Sequence, residues 1–441
     1  LNMRLAVATF LVLPACSAGA AADDVDYLMP QLIGAQYTFI DQRQNSLHSP
    51  YQGPLSLRPQ ANQARSHTFG LYFGLPITPR WAAYLDVEMF RGGGVSHSTG
   101  LAGLTNGDVV RGGGGSLGRD AYVARVFLTY DVPLGGKTTP LKRKMDQLPG
   151  EQADHRLSFK AGLFAVNDDF DQSRYADSTR TQFLNWALFN NAAWDFAADT
   201  RGYTVGGVVT YAAGPWTWRY GLYQMPYRAN GQRLDAISRA REMDAQATWQ
   251  SNPDGPAVWL LLYRNTARMG IYQVALARAL QAGTVPDIRQ DDHGGRHKYG
   301  IALGADLPLA DHGDTGLFGR LGWNDGKTES FAFTEADRSL SIGGQLAGVR
   351  WHRPDDRIAL ALAVNGLSPD HRAYLAAGGT GFNLGDGQLN YRTEQILETY
   401  YDLAIAGHVW VTTDLQLIHN PGYNHDRGPA RFVGVRVHLE Y

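Results

Sequence analysis

From Val433 to the end of the chain, the odd positions read Val433, Val435, Val437, Leu439 and Tyr441. The even positions read Gly434, Arg436, His438 and Glu440. Side chains alternate faces along a strand, so this segment has one apolar and one polar face. The pattern recurs upstream. Tyr203, Val205, Val209 and Tyr211 share a face, as do Trp216, Trp218, Tyr220 and Leu222, with a tight turn at 212–215 between them. Leu397, Tyr401, Leu403 and Ile405 oppose Glu398 and Asp402, and Trp81, Leu85, Val87 and Met89 oppose Asp86 and Glu88. Scored this way, the chain predicts about sixteen strands. They lie near 32–40, 66–75, 80–90, 120–131, 156–166, 201–211, 216–225, 240–250, 257–265, 297–309, 315–324, 341–351, 356–365, 392–405, 409–418 and 430–441.

The spacing of these strands selects the fold class. Short links at 76–79, 212–215, 251–256, 310–314, 352–355 and 406–408 alternate with long ones. The long links fall at 41–65, 91–119, 167–200, 226–239, 266–296, 325–340, 366–391 and 419–429. A soluble sheet has no reason to keep that asymmetry. A barrel in a membrane with two different sides does, with short periplasmic turns and long extracellular loops. The expectation is an all-β fold: a transmembrane antiparallel barrel of about 16 strands. The link 132–155, basic at 137–144, is the one long connection on the short side. The segment 271–282 has helical spacing within its loop.

Composition agrees without deciding. The 441 residues carry a net charge of -2, which gives no electrostatic footprint for nucleic acid. Mean hydropathy is -0.29, as expected where only alternate strand residues meet lipid. Aromatic residues make up 11% of the chain, which suits interfacial belts. Residues 1–22 have the form of a cleaved export signal: Arg4, an apolar stretch to Pro14, then small residues suited to a cleavage site. The single barrel domain is then 23–441. The only cysteine, Cys16, falls inside the leader, where Leu13-Pro14-Ala15-Cys16 also faintly matches a lipidation box. The expected surroundings are outer-membrane lipids and lipopolysaccharide, with the barrel-assembly machinery reading the aromatic-ended last strand.

The inward positions carry both signs: Asp86, Glu88, Arg125, Lys160, Arg219, Glu242, Asp244, Arg320, Glu398, Asp402 and Arg436. Mixed charge with Tyr, Trp and Asn suits neutral polar solutes, because a pore for ions of one sign favours one sign of wall. The same charges also serve to pair across the lumen. The third long loop, 167–200, is too apolar to stand in water. On a helix, Trp186, Asn190 and Trp194 would share one face at i, i+4 and i+8. A helical loop folded inward would narrow the pore, although Phe183, Leu184 and Phe189 equally suit packing against the wall. The candidate constriction is therefore Trp186 or Trp194 for stacking and Asn190, Asp195 or Arg201 for hydrogen bonds. Glu88, Arg125, Arg219 and Tyr223 face them from the wall.

Several runs in this region resemble the OprB-like carbohydrate-selective porins. They are Phe183-Leu184-Asn185-Trp186-Ala187-Leu188, then Trp194-Asp195-Phe196-Ala197-Ala198-Asp199-Thr200-Arg201-Gly202-Tyr203-Thr204. Met225-Pro226, Ala229-Asn230-Gly231 and Asn420-Pro421-Gly422-Tyr423-Asn424-His425-Asp426-Arg427-Gly428-Pro429 follow in the family's order. The resemblance implies a barrel of about sixteen strands and passive diffusion of small neutral sugars such as glucose, with no turnover and no cofactor. A polysaccharide exporter, an outer-membrane lipid-modifying enzyme and a self-plugged structural barrel are the alternatives. Gly114-Gly115-Ser116-Leu117-Gly118 matches G-x-S-x-G but leads into a strand rather than a helix, so it is read as loop. His293 with His297, and Asp168, Asp169 and Asp171, are read as loop polarity rather than metal ligands.

Overall fold

A computed structural model describes residues 27–109 and 117–441. The leader and most of the G-x-S-x-G segment lie outside the described residues. Sixteen strands form one closed antiparallel barrel in which each strand pairs with its sequence neighbours and the first pairs with the last. They are β1 (Leu32–Gln44), β2 (Asn62–Pro76), β3 (Trp81–Gly92), β4 (Tyr122–Leu141), β5 (Gly150–Phe164), β6 (Thr204–Ala213), β7 (Trp216–Gln224) and β8 (Arg241–Gln250). β9 (Ala257–Met269), β10 (His293–Ala310), β11 (Thr315–Asn324), β12 (Arg338–Ala347), β13 (Arg357–Gly366), β14 (Glu394–Ala406), β15 (Val409–His419) and β16 (Ala430–Glu440) complete it. The closing seam pairs Tyr37 with Leu439 and Phe39 with Val437. Closure leaves no edge strand, which a lipid environment requires because it offers no partner for backbone N–H and C=O groups.

The two faces of each strand go where the alternation puts them. On β16, Val435 is 40% exposed and Arg436 is 0% exposed. Val433, Val435 and Leu439 form part of the lipid-facing band, whereas Gly434, Arg436 and His438 face the lumen. At the short-turn end, aromatic rings gather along the rim: Trp81 tilts against Tyr130 (4.6 Å), and the exposed Tyr211 and Trp216 stack on Trp218 (5.6 and 5.7 Å). Such rings, apolar in body and polar at the tip, mark a membrane interface. No helix of the described residues is long and apolar enough to cross a membrane; the crossing is made by strands.

Two expectations need correction. The link 132–155 is mostly strand. β4 and β5 run past the neighbouring turns as an exposed two-stranded ribbon, and only 142–149 connects them. Around Pro133, Gly135 and Gly136 the ribbon continues through register shifts. The helix expected within 167–200 is shorter than its spacing suggested. It is one turn, α1 (Trp186–Phe189), capped by the Asn185 side chain, which accepts the Ala187 N–H. Asn190 and Trp194 lie beyond it in extended or turn backbone. The helix expected at 271–282 forms as α2 (Tyr272–Ala282), and it packs on α3 (Pro369–Ala376) at the long-loop end.

Candidate functional site

The connection between β5 and β6 runs through the lumen, and charged residues of the far wall hold it there. Arg320 of β11 donates to the carbonyls of Leu188 (3.0 Å), Asp171 (2.9 Å) and Ala176 (2.8 Å). Its Nε lies 3.0 Å from the Asp171 carboxylate. Arg436 of β16 donates to the carbonyls of Thr179 (2.9 Å) and Gln182 (2.7 Å). Glu398 of β14 accepts the N–H groups of Leu184 (2.5 Å) and Asn185 (3.0 Å). A loop away from regular structure leaves its own backbone groups unpaired, and buried ones must find partners. The inward charges of β11, β14 and β16 are those partners.

The loop's side chains also come close to the wall. A Cβ at Gly322 would lie 2.0 Å from Asn191 Oδ1, so a larger residue at that point on β11 would displace the Asn191 side chain that accepts the Ala193 N–H. The apolar side chains of the loop then pack on each other and on the wall. Trp194, Phe196, Phe331 and Phe333 join Phe164, Tyr223 and Tyr263 in one buried cluster. This burial offsets an ordering cost of about 1–2 kcal/mol per residue of backbone.

Above the loop's contact with β3 and β4 lies a cavity of about 360 Å³, within the ordinary size range of small-molecule sites. One side of it is aromatic. Trp186 stacks on Phe333 with centroids 5.4 Å apart and planes at 24°, and Phe189 meets Phe333 edge-on at 5.4 Å. The other side is a network of paired charges. Glu88 accepts from Arg180 (2.8 Å), Tyr203 (2.6 Å) and Tyr122 (3.1 Å). Arg180 also reaches Asp108 at 2.9 Å. Arg125 binds Asp168 through two bonds of 2.8 Å, and Asp86 and Asp146 each lie 3.3 Å away. The Arg201 guanidinium lies 3.9 Å over the Tyr122 ring.

Among the loop groups of this network, Asp168 and Arg180 have shifted pKa values that keep them charged. Burial raises the pKa of Asp168, but Arg125 outweighs it and leaves that carboxyl below the usual range. Burial pulls the Arg180 guanidinium down, while Glu88 and then Asp108 take it well above its ordinary value. Both groups stay charged, and each is neutralised by a neighbour.

The structure brings together four of the nine candidate residues. Glu88, Arg125, Trp186 and Arg201 line this cavity. Trp194 is fully buried, and its indole N–H donates to Glu242 (3.1 Å) and Asp244 (3.2 Å). Asp195 is buried against Lys298 of β10 at 2.9 Å and accepts the N–H groups of Phe331 and Ala332. Asn190 and Tyr223 are likewise fully buried, Tyr223 edge-on to Phe164 at 5.9 Å. Arg219 lines a separate cavity of about 510 Å³ toward the short-turn end. The expected face of Trp186, Asn190 and Trp194 therefore does not form. Once the chain leaves the helix at Asn190, the Asn191 N–H is taken by Asp171 (2.7 Å) and the Ala193 N–H by the Asn191 side chain.

Phe333, Arg180 and Tyr203 were missed as site residues. Phe333 belongs to the loop between β11 and β12 and meets Trp186 only through tertiary folding, so no local spacing signals it. Of the aspartates read as loop polarity, Asp168 pairs with Arg125, Asp169 with Lys160 and Asp171 with Arg320.

Known proteins share this fold. The family model for the carbohydrate-selective porins, OprB family, matches residues 80–441. A high-pH structure of Pseudomonas putida OprB is similar in fold, with a TM-score of 0.65 at 16% identity, covering 93% of this chain and 94% of that one. The outer-membrane channel DcaP of Acinetobacter baumannii gives a TM-score of 0.51 at 10% identity, covering 93% of this chain and 96% of that one. No curated relative matches the chain. With a closed sixteen-stranded barrel and a family match running from β3 to the end of the chain, the protein belongs to the OprB family of carbohydrate-selective porins, outer-membrane channels for sugars.

Proposed function

We propose that the chain passes small neutral sugars such as glucose by diffusion, with the cavity of Trp186, Phe333, Glu88 and Arg125 as the weak binding site on the path. The observation that carries this reading is the opposition of an aromatic wall to a wall of paired charges. A sugar ring has an apolar C–H face and a rim of hydroxyls that both donate and accept. Aromatic faces cover the first, and carboxylates and guanidinium groups take the second. The wall mixes carboxylates, among them Glu88, Asp108 and Asp168, with the guanidinium groups of Arg125, Arg180 and Arg201, so the site offers both acceptors and donors and is not lined by one sign of charge. That favours neutral solutes over ions. Binding must stay weak, since a solute that enters must also leave.

In this reading 1–22 is a removed leader, 23–441 is one barrel domain, and no covalent step occurs. The barrel sits among outer-membrane lipids and lipopolysaccharide after insertion by the barrel-assembly machinery. Swelling of liposomes carrying the purified protein tests the selectivity. Glucose should enter faster than hexose-sized anionic and cationic solutes, and the difference should shrink in Glu88→Gln and Trp186→Ala. Equal entry of neutral and charged solutes of one size in the unaltered protein would count against the reading.

A further inference from the structure

The ribbon of β4 and β5 ends in a tip that turns back into the barrel. The neighbouring strands β6 and β7 are joined by two residues, Gly214 and Pro215, whereas β4 and β5 are joined by the eight residues 142–149. Connection alone does not require that length. Lys144 and Gln147 exchange N–H to carbonyl bonds of 3.2 Å in each direction, which closes a tight turn around Met145 and Asp146. Asp146 takes the left-handed backbone the turn needs, with φ of 59°.

The tip lies inside the lumen. Met145 lines the upper cavity, while Asp146, Gln147 and Leu148 line the lower one. The Asp146 carboxylate lies 3.3 Å from Arg125 Nε, beside the bonds that fix Arg125 to Asp168. The Leu148 side chain packs over Gly74 on β2, where a Cβ would come within 3.2 Å of it. Arg143 ties the outer end of the tip to the Ile33 carbonyl at 2.6 Å. The tip is therefore attached to β1, β2 and β4 and stands between the two cavities.

We propose that this hairpin tip is a second size filter, on the periplasmic side of the channel and distinct from the constriction loop between β5 and β6. Solute leaving the aromatic site must pass Met145 and Asp146 before it reaches the lower cavity. The tip thus limits the length and girth of the sugar that goes through, while the upper cavity sets the preference for sugars. Asp146 acts as a positioning residue: its hold on Arg125 keeps the tip raised.

This inference rests on the channel reading. Its test replaces 142–149 by a two-residue Asn-Gly turn, which suits a tight hairpin. In planar bilayers the shortened protein should conduct at least about 1.5-fold more than the parent, since narrowing at one level of a pore adds resistance in series. In liposome swelling, the ratio of linear tri- and tetrasaccharide entry to glucose entry should rise several-fold. Asp146→Asn keeps the shape of the tip and removes its charge, so it should retain the parent's heat-modifiable mobility and add current flicker between two levels. A heat-modifiable shortened protein with the parent's conductance and oligosaccharide ratio, or an Asp146→Asn channel as quiet as the parent, would overturn the proposal. If glucose fails to block even the parent protein, the sugar site is wrong, and the conductance comparison still decides the filter.

Discussion

Arg320 holds the loop between β5 and β6 through more contacts than any other wall residue described above. It is fully buried, it donates to three loop carbonyls, and it pairs with Asp171. Arg320→Met keeps an unbranched, apolar side chain in place and removes all four contacts. Asp171 would keep the Asn191 N–H (2.7 Å) and the Trp259 indole N–H (2.8 Å) but lose the Arg320 cation. Breaking a buried charged pair in this way costs about 3–5 kcal/mol. The barrel ladder of β11 does not use the guanidinium, so the cost falls on the closed loop rather than on the sheet. A closed-to-open ratio reduced by about 3 kcal/mol is more than a hundredfold, at about 1.4 kcal/mol per factor of ten. Single-channel recording should show larger mean conductance and frequent opening steps, with the block by glucose weakened. Arg320→Lys restores the charge but not the fork that spans three carbonyls, and it should lie between the two. A heat-modifiable Arg320→Met channel with the parent's conductance, noise and sugar block would refute the reasoning.

Three further outcomes follow from particular side chains. Trp186→Ala should weaken the sugar block about two- to tenfold, from about 0.5–1.5 kcal/mol for a lost aromatic contact. Trp194→Ala should instead cost about 3–5 kcal/mol of stability, read as a lower unfolding temperature, and equal losses of sugar affinity in both variants would contradict this division. His371 on α3 is buried; burial lowers its pKa, but Asp337 at 3.1 Å and Glu335 at 3.6 Å outweigh it and push it up to about 9. A raised folded pKa gives stability that is complete below about pH 6.5, declines above it, and is gone once pH passes about 9. Protease resistance of the 366–391 loop should follow that window and become flat in His371→Gln, and a window that survives in His371→Gln would exclude this residue as the cause. Finally, a tag inserted at 420–427 should bind antibody on intact cells and one at 213–214 should not, the opposite labelling reversing the topology.

How far the sequence could be read depends on where the energy of each element lies. β16, β11 and β15 were readable almost to their ends because lipid on one side and lumen on the other impose a period of two. The ribbon of β4 and β5 was not, since beyond the membrane both faces meet water and the alternation disappears. Glu88 and Arg125 were legible as inward positions of their strands. Trp186 was legible because so apolar a loop has to be buried. The burial of Trp194 and Asp195 was not, because it is decided by Glu242, Asp244 and Lys298 on other strands. Local spacing suggested a helix over 186–194, but the wall's hydrogen-bonding groups took the backbone first. Arg180 and Phe333 complete the site from separate loops, and only the closed barrel brings them within reach.

The central claim is that the cavity beside the constriction loop is where sugar crosses, and titration of glucose against single-channel current tests it most directly. The unaltered protein should show a saturable reduction of ion current by glucose. Removal of 183–194 should raise the conductance and abolish that reduction. If the current is indifferent to glucose, or if removal of 183–194 from a heat-modifiable barrel changes neither conductance nor block, sugar does not pass where the aromatic and charged walls face each other.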